Sequence, residues 1–220
     1  MKQITLITIL LVLSISSWAQ THMRLSFTAS PTINWMNTTS DHVSEKKAVL
    51  GYDFGIMSDV FFSVNENYSL STGLLVVNTG GKIAYRGNQS FSFAGKDLPP
   101  AVDIRYRLRY LEVPLSLKLR TNEFHRVFYW GLFGVSPMVN IGAKGDSSDG
   151  SLNKDSIHDE VNLFNIAMNV GLGFDFDLGA SNALSAGLIF QNGLADITTD
   201  NAFSDKINVN SLKIRLALLF

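Results

Sequence analysis

The chain has 220 residues, no cysteine, and 18 basic residues against 19 acidic ones. This length fits one domain, the lack of cysteine excludes disulfides and thiolate metal sites, and a near-neutral chain without an evident basic patch argues against nucleic-acid binding. Hydrophobic residues make up 46% of the chain, yet no apolar run after the first twenty residues reaches the roughly twenty residues of a membrane helix.

The start of the chain predicts a cleavable secretory signal at 1–19. Lys2 is followed by a mostly apolar run at 4–13, and Ser17 and Ala19 are small residues at the two positions that a signal peptidase reads. A lone membrane anchor is the alternative, but the run is short for spanning a bilayer. The cleavage site has no cysteine, which excludes a lipid-anchored lipoprotein.

Alternation with a period of two is the repeating signal in the rest of the chain. Alternate side chains of a strand point to opposite faces, so the pattern predicts strands that are apolar on one face and small or polar on the other. It is clearest over 162–178, where every second residue from Phe164 to Phe176 is apolar. Seven other segments repeat it, some less cleanly: 24–35, 50–62, 68–78, 111–119, 127–141, 183–191 and 212–220.

The connections between these eight segments alternate in length. Three are short and lie near 65–67, 122–123 and 179–182, and four are long and polar, near 36–49, 79–105, 142–160 and 192–208. Short periplasmic turns and long outer loops are typical of bacterial outer-membrane barrels, whose strand number is even. We therefore predict an all-β fold, an eight-stranded antiparallel up-and-down transmembrane β-barrel over 20–220, located in the cell outer membrane.

One stretch breaks the alternation. Tyr106, Leu108 and Tyr110 are out of phase with Leu111 and the residues after it. A β-bulge near Tyr110 would shift the phase by one residue. Alternatively, the arginines between these residues stand above the membrane, where the alternation is not enforced.

The polar face carries charges of both signs. An Arg or Lys that faces lipid at mid-depth costs roughly 2–4 kcal/mol, so we expect these charges to face the lumen. An eight-stranded barrel has an interior just wide enough for side chains to fill. We expect a lumen packed with ion pairs; a polar conduit or proton path is the alternative, which the balanced signs disfavour. The candidate lumen residues are Arg24, Asp53, Asp59, Glu112, Lys118, Arg120, Asp175, Asp177, Lys213 and Arg215.

Two segments invite a catalytic or metal interpretation. His158 lies beside Asp159 and Glu160, but neighbours on a strand point to opposite faces, and no serine lies in a nucleophile-elbow context. The segment 145–150 lacks the spacing and the late glutamate of an EF-hand loop, so a polar loop is the better interpretation. We expect no catalytic site, no cofactor and no metal site.

Three motifs resemble one known family, the PorT-like outer-membrane β-barrel proteins of the Bacteroidetes. They are YLEVPLSLKL at 110–119, GLFGVSP at 131–137 and FQNGLADI at 190–197, where Gln191 and Asn192 depart from the commoner residues. The resemblance covers essentially the whole mature chain and implies a barrel of about eight strands. Some members of the family take part in protein secretion or gliding machinery.

These observations predict a non-enzymatic outer-membrane barrel. We expect it to be structural, or an accessory component of an envelope or secretion assembly, with outer-membrane lipid and envelope proteins as its partners. A narrow transport or solute-binding barrel is the alternative. A soluble barrel of lipocalin type is a third interpretation, and it would place the apolar residues inside.

Overall fold

The computed structural model describes residues 22–38, 43–62, 66–87, 89–199 and 206–220. The predicted signal peptide at 1–19 lies outside the described residues. In the described part the chain forms thirteen strands and one short 3-10 turn at His158–Glu160. The strands are β1 (Met23–Thr38), β2 (Val43–Lys47), β3 (Val49–Phe61), β4 (Tyr68–Arg86), β5 (Phe91–Phe93), β6 (Lys96–Leu98), β7 (Ala101–Glu112), β8 (Leu115–Arg120), β9 (Val127–Ser147), β10 (Asn153–Ser156), β11 (Phe164–Gly179), β12 (Asn182–Gly193) and β13 (Ile207–Leu219).

Eight antiparallel strand positions close into a ring. Their order is β1, β3, β4, β7 with β8, β9, β11, β12 and β13, which pairs again with β1. β7 and β8 act as one position because both pair with β4 and with β9. A closed ring leaves no free edge. The predicted eight-stranded antiparallel barrel is therefore confirmed.

The two ends of the barrel differ. At one end, called the short-turn end, adjacent strands are joined through 62–67, 121–126 and 180–181. Ala180 and Ser181 have φ values of 52° and 68°, the left-handed conformation that a type I′ hairpin turn requires at both central residues. At the other end, called the long-loop end, the connections carry the short strands β2, β5, β6 and β10.

The strands extend further toward the long-loop end than the sequence predicted. β4 has 19 residues and β9 has 21, whereas crossing a membrane takes about 9–11. Strand structure therefore covers 79–86, 101–105 and 142–147, which were predicted to be loops. Among the described residues, no helix is long and apolar enough to cross a membrane.

The face polarity of β7 and β8 inverts along the chain while the backbone alternation continues. From 101 to 120 every even-numbered residue is buried and every odd-numbered one is half-buried or exposed. Up to Tyr110 the inward residues are apolar and the outward ones include three arginines. From Leu111 onward the inward residues include Glu112, Lys118 and Arg120, and the outward ones are Leu111, Val113, Leu115, Leu117 and Leu119. The break in the alternation at Tyr110 therefore marks the level at which the environment of the outer wall changes, while the strand itself continues.

The β-bulge considered at Tyr110 lies on the neighbouring strand. Arg109 pairs with Gly142 and Tyr110 with Asn140, so Ile141 of β9 is the extra residue. Below this level the outer wall is an apolar band that continues around the barrel. On β1, for example, Phe27 is 57% exposed while Thr28 and Ser30 are buried. A soluble barrel of lipocalin type would have its apolar residues inside, whereas in this band they point outward. The soluble-barrel interpretation is therefore wrong.

Candidate functional site

The candidate site is the lumen, and the structure places all ten predicted charged residues on its inner wall or at its mouth. Arg24, Asp177 and Arg215 are half-buried. The other seven residues are buried, each at most 9% exposed: Asp53, Asp59, Glu112, Lys118, Arg120, Asp175 and Lys213.

Four of the inward residues form a group halfway along the lumen, the mid-lumen cluster of Asp53, Glu112, Gln191 and Lys213. Lys213 Nζ of β13 lies 3.0 Å from Asp53 Oδ2 of β3 and 3.1 Å from Glu112 Oε2 of β7. Gln191 Nε2 of β12 donates to Glu112 Oε1 at 2.9 Å. One lysine therefore joins two carboxylates from different strands across the lumen.

A second group lies nearer the short turns, the short-turn cluster of Asp59, Glu66, Lys118, Arg120 and Asp175. Lys118 Nζ lies 2.8 Å from Asp59 Oδ2 and 3.4 Å from Asp175 Oδ2. Arg120 Nε lies 3.7 Å from Asp175 Oδ2, and Arg120 Nη1 lies 3.6 Å from Glu66 Oε2. This cluster ties β3, β8 and β11 together from inside the ring.

The charges form two separate clusters, with Glu112 and Lys213 in one and Lys118 in the other. Arg215 lines a cavity of about 10 Å³ between the clusters and has no ion pair within 4.0 Å among the described residues. Neutral hydrogen bonds fill the neighbouring wall, such as Asn169 Nδ2 to Ser136 Oγ at 2.6 Å. The lumen between the clusters is therefore almost completely packed.

The half of the lumen toward the long-loop end is apolar. Inward side chains of β4 and β7 form its wall, among them Val77, Ile104 and Tyr106, each at most 2% exposed. Tyr85 Oη and Tyr106 Oη lie 2.5 Å apart inside it. The loops fold back onto this core and bury apolar residues of their own: Phe93, Leu98, Leu152, Ile157, Val161 and Ile197. The predicted polar loops thus seal one end of the barrel.

The short-turn end is open. A cavity of about 400 Å³ lies there, between the three turns and the short-turn cluster. Its walls carry charges of both signs, from the basic residues Arg24 and Arg120 and the acidic residues Glu66, Glu123 and Asp177. We call this cavity the vestibule.

The two segments considered for chemistry lie in the long-loop region. His158 is exposed in the 3-10 turn, while Glu160 is buried and its Oε1 accepts the Ala94 N–H at 2.9 Å. Hydrogen bonds from the Ser147 and Ser151 hydroxyls lower the pKa of Asp149. No group of three or more His, Cys, Asp or Glu residues within the described ranges could hold a metal ion.

Sequence reasoning missed Gln191, Glu66 and the apolar core of the long-loop half. Gln191 and Glu66 are single polar residues near strand ends, and nothing in their local pattern indicates a partner across the lumen. The core did leave a signal, because Tyr106, Leu108 and Tyr110 alternate with arginines. In the part of a strand above the membrane, apolar residues that alternate out of phase with those of the membrane-spanning part point inward. Such a change of phase indicates a hydrophobic core above the membrane.

Comparison with known proteins identifies the family. A family model described as outer membrane protein beta-barrel domain matches residues 18–199, and no curated protein matches the chain.

Solved structures that resemble it include Neisserial surface protein A, with 13% identity, coverage of 89% of this chain and 95% of that chain, and a TM-score of 0.47. OprG from Pseudomonas aeruginosa has 12% identity, coverage of 90% and 95%, and a TM-score of 0.47. Ail, the attachment invasion locus protein of Yersinia pestis, has 14% identity, coverage of 90% of this chain and 98% of that chain, and a TM-score of 0.43. The chain belongs to the outer membrane protein beta-barrel family and resides in the outer membrane, with its short-turn end toward the periplasm.

Proposed function

We propose that the protein is a non-enzymatic, non-conducting barrel that serves as a structural or accessory component of an envelope assembly. The observation that carries this proposal is the closed lumen. The apolar core fills the long-loop half, two ion-pair clusters fill the lumen between that core and the vestibule, and the cavity between the clusters measures only about 10 Å³. A water molecule needs roughly that much space by itself, so the described part of the chain leaves no room for a continuous water path between the two clusters.

The role within an assembly is supported by two features. The vestibule offers charges of both signs to the periplasm, which suits a polar contact with a periplasmic partner. The PorT-like motifs at 110–119, 131–137 and 190–197 support a place among barrels that accompany secretion machinery. A solute-binding barrel is the second candidate, because a vestibule of about 400 Å³ falls within the size range of small-molecule pockets.

Planar-bilayer recording tests the closed lumen. Purified protein inserted into a bilayer should give no steady conductance. A porin added afterward to the same bilayer should give a steady conductance. A steady pore formed by the parent protein would contradict the proposal and favour the transport alternative.

Co-purification from detergent tests the assembly role. An envelope protein bound at the vestibule should copurify with the parent and be lost with Arg24→Glu, which reverses a half-buried charge in the vestibule wall. Lys206→Gln at the opposite end is the control and should retain the partner. If nothing copurifies and a small polar solute protects the vestibule instead, the solute-binding candidate replaces the assembly role.

A further inference from the structure

Five basic side chains gather on the outer wall just above the apolar band. This basic face consists of Lys82 of β4, Arg105, Arg107 and Arg109 of β7, and Lys144 of β9. Lys82 is the direct cross-strand neighbour of Arg105, and Arg107 is that of Lys144. Adjacent strands lie about 4.8 Å apart. Three of the five cations alternate along β7, and the fold adds one from β4 and one from β9.

The basic face keeps most of its charge unneutralised. Arg107 Nε lies 2.6 Å from Asp146 Oδ2, which is the ion pair of this face. Arg109 Nε donates to the neutral Asn78 Oδ1 at 3.1 Å. Arg105 Nε is buried and has no hydrogen-bond partner within the described part of the chain. The other outward carboxylate of β7, Asp103, pairs with Arg86 at 2.9 Å. Among the described residues, the five cations therefore share one carboxylate, Asp146, which leaves a positive surplus and at least one unused guanidinium donor.

The basic face lies directly above the apolar band, at the level where lipid headgroups are expected. Arg109 lies two residues from Leu111, where the apolar band begins, which is a rise of about 7 Å along the strand. A groove of about 530 Å³ joins the two regions. The groove is lined by the arginines and Lys144, and exposed apolar residues flank the arginines, with Leu50 and Tyr52 of β3 on one side and Ile141 of β9 on the other. These three side chains are 83%, 53% and 50% exposed.

The basic face occupies one side of the barrel. Near the long-loop ends of β11 and β13 the outward residues Phe164 and Asn208 carry no charge, and neither does Leu194, which directly follows β12. A general interaction with the membrane surface would not require such an asymmetry. The asymmetry indicates one bounded site on β4, β7 and β9.

We propose that the basic face binds the phosphate of a lipid headgroup in the outward-facing leaflet, with the acyl chains of that lipid against the apolar residues that flank the arginines, Leu50 and Tyr52 on one side and Ile141 on the other. Guanidinium groups present paired N–H donors that match phosphate oxygens and carry a charge that phosphate neutralises. These flanking apolar residues distinguish a lipid from a soluble polyanion, which would gain nothing from exposed Leu50. The site lies on the outer wall, so this inference stands apart from the closed lumen.

Native mass spectrometry of the full chain in maltoside micelles tests the site with three matched probes. Dioleoylphosphatidic acid has both the phosphate and the chains, dioleoylglycerol lacks the phosphate, and glycerol 3-phosphate lacks the chains. Phosphatidic acid should bind most tightly. Arg105→Gln with Arg109→Gln should weaken its binding about 30-fold, since each basic residue near an anionic lipid contributes a factor of about five. Lys206→Gln, an exposed lysine on the opposite side of the same end, should leave binding unchanged.

Three results would overturn the proposal. Equal binding of dioleoylglycerol would mean that only the apolar band is sensed, and equal binding of glycerol 3-phosphate would mean a soluble-anion site. Undiminished binding by the double variant would mean that the arginines are not involved. Heat-modifiable migration checks that the variant is folded. If it is not, Lys144→Gln should still give about a fivefold loss, and no loss would overturn the proposal.

Discussion

Lys213 shows how single residues hold the lumen closed. It is 4% exposed and lies within 3.1 Å of both Asp53 and Glu112. Lys213→Ala would leave two buried carboxylates without their cation, and breaking a buried pair in this way costs on the order of 3–5 kcal/mol. Glu112→Ala leaves Lys213 with Asp53, so its cost should be smaller, about 2–3 kcal/mol. The temperature at which the heat-modifiable folded band disappears should therefore fall most for Lys213→Ala.

The matched control at this scale is Met168→Leu on the outer wall, where Met168 is 43% exposed. Leucine and methionine have similar volume and polarity, so the change should cost less than about 1.5 kcal/mol. If the melting of Glu112→Ala equals that of the parent, Glu112 is not a buried partner of Lys213. If Met168→Leu is as harmful as Glu112→Ala, the two faces have been assigned the wrong way round.

Among the elements, β13 closes the ring. Phe220, the residue directly after β13, exchanges two backbone hydrogen bonds with Leu25 of β1, at 3.2 and 2.9 Å. The Phe220 ring packs 5.3 Å from that of Phe27. Deleting Leu218 to Phe220 should abolish insertion, because an unclosed barrel leaves backbone groups unpaired in lipid. Phe220→Tyr keeps the backbone and the aromatic ring and should insert. Normal outer-membrane levels of the truncated chain would contradict the closure.

The hairpin of β5 and β6 is one of the elements that cover the long-loop end. Phe93 is 4% exposed and Leu98 is 1% exposed. Changing both to alanine removes the apolar contacts that hold the hairpin on the core, at several kcal/mol for each residue. Protease added to intact cells should then cut within 89–99, while the parent and the exposed-site control Ser92→Ala should resist. Equal resistance of the double variant would show that the hairpin does not depend on this contact.

The strands of the apolar band were predictable from the sequence, and the elements above it were not. Below Leu111 one rule holds, since lipid surrounds the wall and every outward residue of β8 is apolar. Above Tyr110 water surrounds the same strand, so the apolar residues turn inward and the rule is reversed. One alternation rule applied to the whole chain therefore predicts the periplasmic ends of the strands correctly. The same rule predicts loops where the long-loop ends of the strands lie. The partners of Lys213 required the ring itself, because they come from strands far apart in sequence.

On the scale of the whole molecule, one continuous ring of strands serves two solvents. In the apolar band the charges are inside and leucines outside; above it a hydrophobic core is inside and arginines are outside. The lower tier is organised as a membrane barrel and the upper tier as a soluble one. Both tiers use the same backbone hydrogen bonds, which explains why β4 and β9 are almost twice as long as membrane crossing requires.

Site-directed spin labelling along β7 and β8 tests this two-tier organisation most directly. The chain has no cysteine, so a nitroxide can be attached to one introduced cysteine at a time from 101 to 119 in liposomes. Labels at odd positions from 111 should collide with oxygen, which concentrates in lipid, and those at 105, 107 and 109 with a water-soluble nickel chelate. Labels at even positions should reach neither. Oxygen contact at 105–109, or no reversal between 109 and 111, would contradict the account.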